Sequence, residues 1–145
     1  MKTDIREAVA SDGRAIVRLI GEMASEGEAS SPITEAHVVQ YLASPTSRLL
    51  VAELEGNVVG MLSCSIRPDL FHAGSVGHIE ELVVHRKARG QGIGGALLAE
   101  GLSRLRAAGC SEVSLSVMPD NVSAIRLYRR YGLTEETLGL EAHFT

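Results

Sequence analysis

The segment from residue 77 to residue 95 constrains the fold more than any other part of the chain. It reads GHIEELVVHRKARGQGIGG. Its first half has the β-branched and apolar content of a strand and also carries two carboxylates. A short basic loop follows, and the glycines then open a long helix that begins at Ile93. A helix N-terminus attracts anions, and glycines let the backbone approach phosphate oxygens closely. The segment therefore predicts a pyrophosphate site.

Two familiar phosphate-binding patterns do not fit this segment. The spacing G-x-G-x-x-G is present as Gly90, Gly92 and Gly95, and Asp120 lies downstream where it could hold a ribose. That dinucleotide pattern needs its glycines directly at the strand end, whereas the basic loop 85–89 intervenes here. A Walker loop needs Gly-Lys-Ser/Thr, and no lysine follows these glycines. A dinucleotide site therefore stays only as a minor alternative.

A third pattern fits, and a second signature supports it. Arg/Gln-x-x-Gly-x-Gly/Ala, placed after a strand and a basic loop, is matched by Arg89, Gly92 and Gly94. A predicted helix and strand follow, and then comes the pattern Asn-x-x-Ala-x-x-x-Tyr-x-x-x-Gly. Its residues are Asn121, Ala124, Tyr128 and Gly132. These two signatures in this order resemble the GNAT superfamily of acyl-CoA N-acyltransferases. The resemblance is detailed over residues 77–133 and extends to the remainder only in the order of elements.

Periodicity along the chain predicts the element order β-α-α-β-β-β-α-β-α-β. A strand at 4–10 precedes two helices, and a hairpin at 48–66 leads through a loop at 67–75 to the strand of the glycine segment. We therefore predict a single domain over residues 1–145 of the α+β class. It resembles the GNAT fold: a central mixed, mostly antiparallel sheet flanked by helices, with one βαβ crossover through the glycine-rich helix.

The end of the chain has room for one strand, TEETLGLEAHFT, where many members of the resembled family use two. The wall of the acceptor pocket is then short or is supplied by a partner subunit. An exposed sheet edge needs cover, and we therefore expect a homodimer.

The resemblance implies a binding site for acetyl-CoA as co-substrate. The pyrophosphate would lie on the backbone of the glycine turn, and the pantetheine arm would pair with the strand of the glycine segment in a gap where two strands separate. The second signature would contribute a hydrogen bond to the arm, although helix capping explains its asparagine equally well. The implied cofactor-binding residues are Leu82, Val83, Val84, Arg89, Gly90, Gln91, Gly92, Ile93, Gly94, Gly95, Asn121 and Ala124.

The resemblance also implies the catalytic residues. Tyr128 corresponds to the general acid that protonates the departing thiolate, and the base is drawn from the positions of His78 and Glu80, with Glu80 our first choice. Residues two apart share a face of a strand. We therefore expect His78 and Glu80 on one face and Glu81 on the other, unless a bulge reverses this parity. No covalent carrier stands out, and direct attack by the amine is expected.

Composition narrows the class of function. The net charge of −4 argues against a nucleic-acid partner. No apolar run approaches the ~18 residues of a membrane span, and the N-terminus lacks the apolar core of a signal peptide. Cys64 and Cys110 are too few for a metal site, and we expect a cytoplasmic protein. The sequence predicts an acetyl-CoA-dependent N-acetyltransferase acting on a primary amine of a small molecule or peptide. The alternative is a non-catalytic GNAT-fold sensor or scaffold that binds acyl-CoA.

Overall fold

The computed structural model describes residues 3–144 and contains one five-stranded sheet with the order β1-β2-β3-β4-β5. The first four strands pair antiparallel, and β5 pairs parallel to β4 after a crossover through α3. This arrangement confirms the predicted α+β class. The elements are β1 (Thr3–Glu7), α1 (Gly13–Glu26), α2 (Glu35–Ala43), β2 (Ser47–Leu54), β3 (Asn57–Asp69), β4 (Gly74–Val84), α3 (Ile93–Ala107), β5 (Cys110–Leu115) and α4 (Val122–Arg130).

The two faces of the sheet bury different helices. Ile16, Leu19 and Ile20 recur at helical spacing on α1 and pack, with Val38 of α2, on one face. On the other face, α3 buries an apolar stripe against β2, β3 and β4. The buried residues of that second cluster are Leu50, Ala52, Leu62, Cys64, Ile79, Ala88, Ile93, Leu97, Leu98 and Leu105. β4 lies between the two clusters, so its side chains can reach either layer.

The connection between β3 and β4 is much shorter than the predicted loop at 67–75. β3 continues through Pro68 to Asp69, and β4 begins at Gly74, with Pro68 opposite Ser75. Proline is tolerated here because the pair lies at the end of the hairpin, where a ladder hydrogen bond can be missing. Asp69 closes the turn by accepting the His72 N–H at 2.9 Å. The predicted loop is therefore too long, because both strands continue into it.

The predicted final strand is wrong for this chain. Residues 133–144 form no helix or strand, and Leu138, Leu140 and Phe144 are each 87% exposed. Thr145, the last residue of that predicted strand, lies outside the described residues. Alternating apolar residues stabilise a strand only when one face is buried. The preceding α4 has no fully buried residue, and the apolar side chains of the segment itself stay exposed and do not pack on the domain. Within residues 3–144, the outer edge of β5 therefore has no neighbour.

Candidate active site

The glycine turn presents backbone N–H groups at the start of α3. Gly90 and Gly92 both have φ of +81°, a left-handed conformation that favours glycine. The first hydrogen bond of the helix runs from the Ala96 N–H to the Gly92 carbonyl at 3.0 Å. The amides of Gln91 and of Ile93–Gly95 precede that bond, and such amides have no acceptor within their helix. The turn therefore offers backbone donors to an anion, and the pyrophosphate site stays a prediction.

The two glycines in the first turn of α3 also let α4 approach it. A Cβ on Gly95 would lie 2.6 Å from the hydroxyl oxygen of Tyr131, which is closer than atoms of this kind can come. A Cβ on Gly94 would lie 3.7 Å from Leu127 and from Val84, an ordinary contact. A side chain at Gly95 would therefore have to displace the partly exposed ring of Tyr131, which directly follows α4.

Arg89, the first residue of the family signature, is held by α1. Its guanidinium donates to both carboxylate oxygens of Glu26, at 2.9 and 2.7 Å, and its Nε donates to the Val84 carbonyl at 3.0 Å. The hydrogen bonds from Arg89 lower the pKa of the Glu26 carboxyl. A pyrophosphate bound at the turn would therefore share Arg89 with Glu26, and part of the positive charge of Arg89 is already balanced.

Glu22 is a buried carboxylate that the sequence analysis missed. Its Oε2 lies 2.7 Å from Nδ1 of His85, and its Oε1 accepts the backbone N–H of Arg86 at 2.6 Å. Burial would raise the pKa of Glu22, but these hydrogen bonds outweigh it and lower the pKa. The contacts tie α1 to the loop between β4 and α3. The sequence signal that could have identified Glu22 is a glutamate within the apolar stripe of α1, which indicates a buried and paired carboxylate.

β4 and β5 separate where the resemblance implied a gap. Their pairing runs from Ser75 opposite Cys110 to Ile79 opposite Leu115 and ends there. The remainder of β4, including Leu82–Val84, pairs only with β3 on its other side. The strand edge that the resemblance implies for the pantetheine arm is thus free of β5 and lies next to the start of α3. Arg89 contacts this edge at the Val84 carbonyl.

A bulge in β4 overturns the predicted parity of its acidic residues. Glu81 lies opposite Ser63 and Ile79 opposite Cys64, which leaves Glu80 as the extra residue. The Ser63 hydroxyl donates to the Glu81 carboxylate and accepts the Glu81 N–H at 3.1 Å. Neighbouring Ser65 donates to the Glu80 carboxylate at 2.9 Å. Because residues two apart share a face, both carboxylates lie on the face that α1 and α2 cover.

His78 lies on the same face, opposite Ser65 in the register. Its Nε2 is 3.9 Å from the Glu80 carboxylate, and its Nδ1 lies 3.0 Å from the Ser114 hydroxyl on β5. The structure therefore brings His78, Glu80 and Glu81 together on one side of β4. The expectation that Glu81 faces away from the other two was wrong, and the bulge at Glu80 is the physical reason.

A cavity of about 550 Å³ lies on this face between the two helices and the sheet. Glu81 lines it, whereas Glu80 and His78 do not. This volume is within the range of small-molecule sites, roughly 300–1,000 Å³. The lining residues come from α1, the connection to α2, α2 and strands β2 to β4: Ile16, Ile20, Ser31, Pro32, Ile33, Thr34, Ala36, His37, Val38, Gln40, Tyr41, Leu49, Met61, Ser63 and Glu81.

The residues of the second signature lie on α4, across the sheet from this cavity. Tyr128 is half-buried against the cluster that contains Ile79 and Leu98, and burial raises the pKa of its phenol. Asn121 accepts the Ala124 N–H at 3.3 Å and so caps the helix, as one of the two interpretations predicted. A carboxamide also carries two N–H donors, so the cap does not remove its capacity to hold a cofactor arm.

Comparison with known proteins classifies this arrangement. The family model described as "Acetyltransferase (GNAT) family" matches residues 15–133. The chain belongs to this family. An aminoalkylphosphonate N-acetyltransferase of Salmonella typhimurium is 33% identical over 89% of this chain and 83% of its own length. A mycothiol acetyltransferase of Sanguibacter keddieii is 34% identical over 75% of this chain, which spans 36% of that protein.

The chain also shares its overall fold with a solved structure. A transcriptional regulator from Bacillus halodurans C-125 superposes with a TM-score of 0.88 at 27% identity, covering 99% of this chain and all of the other. We therefore class this GNAT-family chain as an N-acetyltransferase. Within residues 3–144, no helix is both long and apolar enough to cross a membrane.

Proposed function

We propose that this GNAT-family enzyme transfers an acetyl group from acetyl-CoA to a primary amine of a small molecule or peptide by direct attack. The observation that carries the proposal is the position of Glu81. Its side chain lines the cavity beneath α1 and α2, on the same face as Val83, while the adjacent residues 82–84 keep a strand edge free of β5. A carboxylate for the amine and a strand edge for the acyl donor therefore meet at consecutive residues.

The donor site is assigned to the glycine turn and the free edge of β4. Acetyl-CoA, when bound, supplies an acetyl group on a thioester. Amides at the start of α3 would hold its pyrophosphate, and the backbone of Leu82–Val84 would pair with its arm and donate one hydrogen bond to the thioester oxygen. A preorganised donor of this kind contributes about 10²–10³ in rate.

We assign the proton transfers to opposite sides of β4. Glu81 takes the proton from the ammonium in the cavity, since of the three candidate bases it is the one that lines the cavity. Glu80 and His78, the candidates from sequence, then lie beside it, each hydrogen-bonded to a serine hydroxyl. Tyr128 donates a proton to the departing thiolate, and its raised pKa keeps the phenol protonated at neutral pH.

Thiol release tests this function directly. Purified protein with acetyl-CoA and a panel of primary amines should release CoA thiol only when an amine is present, and mass spectrometry should find the N-acetyl product. A protein that binds acetyl-CoA but acetylates none of the amines or peptides would instead be the non-catalytic sensor or scaffold.

Location, assembly and domain organisation complete the proposal. We place the protein in the cytoplasm, because Cys64 and Cys110 are both free thiols and reducing compartments keep thiols in that state. We also propose one N-acetyltransferase domain over residues 1–145 and a homodimer. The support for the dimer is the uncovered edge of β5 together with the exposed apolar residues that follow α4.

A further inference from the structure

The lining of the cavity has an uneven chemistry that limits what it can hold. Its inner surface is formed by buried apolar side chains, among them Ile16, Val38, Leu49 and Met61. Glu81 is the one carboxylate among the described residues that line it. None of those residues is Lys or Arg, and His37 on α2 is the one lining side chain that can become a cation. The lining therefore combines a single fixed negative charge with an apolar interior.

Glu81 is held in place rather than free to swing into solvent. The Ser63 hydroxyl binds both its carboxylate and its backbone N–H. The neighbouring Tyr41 hydroxyl donates to the Cys64 carbonyl at 3.2 Å, and burial raises the pKa of Tyr41 to about 12, so the phenol stays neutral. Glu81 is thus the group that can balance one positive charge at the sheet end of the cavity.

We propose that the acceptor is a primary amine carried on an uncharged, largely apolar body. This inference rests on the proposed function and names its substrate class. The ammonium would bind Glu81, and the body would contact the apolar interior under α1 and α2. A carboxylate or phosphonate on the substrate would lose hydration in the apolar interior, where no lining Lys or Arg offers it a permanent positive charge, and this is costly. A polyamine would bring more cations than the single carboxylate can balance.

The reaction at this site balances in protons and bonds. The ammonium gives a proton to Glu81, and the amine nitrogen then forms a bond to the thioester carbonyl carbon. The carbon–sulfur bond breaks, and the sulfur takes a proton from Tyr128. The nitrogen loses its second proton as the amide forms, and that proton restores the Tyr128 phenol through solvent. Glu81 releases the first proton to solvent, so the net products are the amide, the thiol and one proton. Glu81 is next to Leu82 in β4, so the ammonium is held beside the strand edge that is proposed to bind the thioester.

A matched pair of amines tests the substrate class. 2-Phenylethylamine and L-phenylalanine share the same apolar body and differ by one carboxylate. We expect kcat/KM for 2-phenylethylamine to exceed that for L-phenylalanine by about tenfold or more, because the second charge is unpaired in the cavity. 2-Aminoethylphosphonate and spermidine should also be poorer acceptors. Equal or better turnover of any of these three compounds would overturn the inference and leave the proposed function intact.

Two variants on α2 test the location. Ala36 lines the cavity, whereas Val39 is exposed on the same helix and does not. Ala36→Phe should fill the cavity and lower kcat/KM for 2-phenylethylamine by about tenfold with unchanged affinity for CoA, since a filled pocket loses the contacts of its ligand. Val39→Phe should behave as wild type. The same loss in both variants, or in neither, would reject this cavity as the acceptor site.

Binding separates the two hypotheses if no amine is acetylated. In that case the proposed function fails, and calorimetry on the CoA-loaded protein still tests the inference. Tighter binding of 2-phenylethylamine than of L-phenylalanine, abolished by Ala36→Phe, would support it. Equal binding of the two compounds, or binding that Ala36→Phe does not change, would overturn it.

Discussion

At the scale of single residues, one extra amino acid in β4 brings a second carboxylate to the face that α1 and α2 cover. Glu80 occupies the bulge, so Glu81 and Glu80 both lie on the face of α1 and α2. The register of the hydrogen bonds between β3 and β4 fixes this outcome. Glu81 shares its face with Val83, two residues on, which packs in the cluster under α1 and α2.

Replacement of the three candidate bases should separate their roles. We expect Glu81→Gln to lower kcat/KM by about 10²–10⁴, the usual contribution of a general base, and to recover as pH rises and free amine accumulates. Glu80→Gln and His78→Ala serve as matched controls on the same face and should cost much less. A severe loss in Glu80→Gln with an active Glu81→Gln variant would return the role to Glu80. If His78→Ala alone removes the acidic limb of the pH profile of kcat/KM, the role of general base belongs to His78.

Tyr128→Phe should lower kcat by about 10²–10⁴ and leave the affinity for CoA nearly unchanged, because it removes a proton donor and few contacts. Burial raises the pKa of Tyr128. The protonated phenol, the active form, therefore persists beyond its ordinary pKa of about 10. The alkaline limb of the wild-type kcat profile should lie above that pH and should be absent from the variant. Full activity in a folded variant would make Tyr128 a packing residue.

Gly92→Val should abolish CoA binding, because valine cannot adopt φ of +81° and the turn must change shape. No atom lies within 4 Å of a Cβ at this position, so the effect is conformational. Gly109→Val is a matched control, since Gly109 has φ of +93° with equally open surroundings at the far end of α3. Both variants should lose similar stability by urea unfolding. A Gly92→Val variant with unchanged affinity for CoA would contradict the pyrophosphate assignment.

At the scale of elements, α1 and the loop that leads to α3 behave as one unit. Glu22 binds His85 and the Arg86 backbone, and Glu26 binds Arg89 in the next turn of the loop. Both carboxylates have lowered pKa values because of these contacts. α1 therefore both covers the cavity and positions the loop that precedes the α3 amides.

Glu22→Gln should lower the free energy of unfolding by about 1–3 kcal/mol at pH 7, the cost of disturbing a buried, hydrogen-bonded group. The folded pKa of Glu22 lies below its unfolded value. Its stabilisation is therefore present at neutral pH and is lost as pH falls through the folded pKa. Urea unfolding of both proteins at pH 7 and pH 3 checks this. The more exposed Glu26→Gln is the control and should cost less; an equal cost would mean that burial of Glu22 is unimportant.

Local sequence was sufficient to predict some elements and insufficient for others. The turn at Gly90 and Gly92 and the start of α3 were predictable, because left-handed glycines and a helix N-terminus depend on neighbouring residues. A bulge in β4 was allowed for from the sequence, but its position at Glu80 was not predictable, since it arises from the pairing of Ser63 and Cys64 across the sheet. Glu22 was missed for the same reason: its partners are 63 and 64 positions away in the chain.

At the scale of the whole molecule, the structure leaves an open sheet edge and an apolar segment that is exposed. The outer edge of β5 has no neighbour within residues 3–144, and the segment after α4 exposes Leu138, Leu140 and Phe144. These three residues alternate as they would in a strand, although the isolated chain forms none there. An open sheet edge and exposed apolar residues are features that a second copy can cover.

We therefore expect the protein to be a homodimer at micromolar concentration, with the segment 134–144 at the interface. A two-fold interface contains the same surface of both copies, so each substitution in the chain occurs twice in the interface. Leu138→Glu with Leu140→Glu should give a monomer by light scattering and keep the circular dichroism spectrum of the wild type. Leu70→Glu with Phe71→Glu is a matched control, because these residues are at least as exposed but lie at the tip of the β3–β4 connection. This control should remain dimeric. A wild-type monomer would contradict the dimer, and a monomer from the control pair instead would move the interface to the hairpin tip.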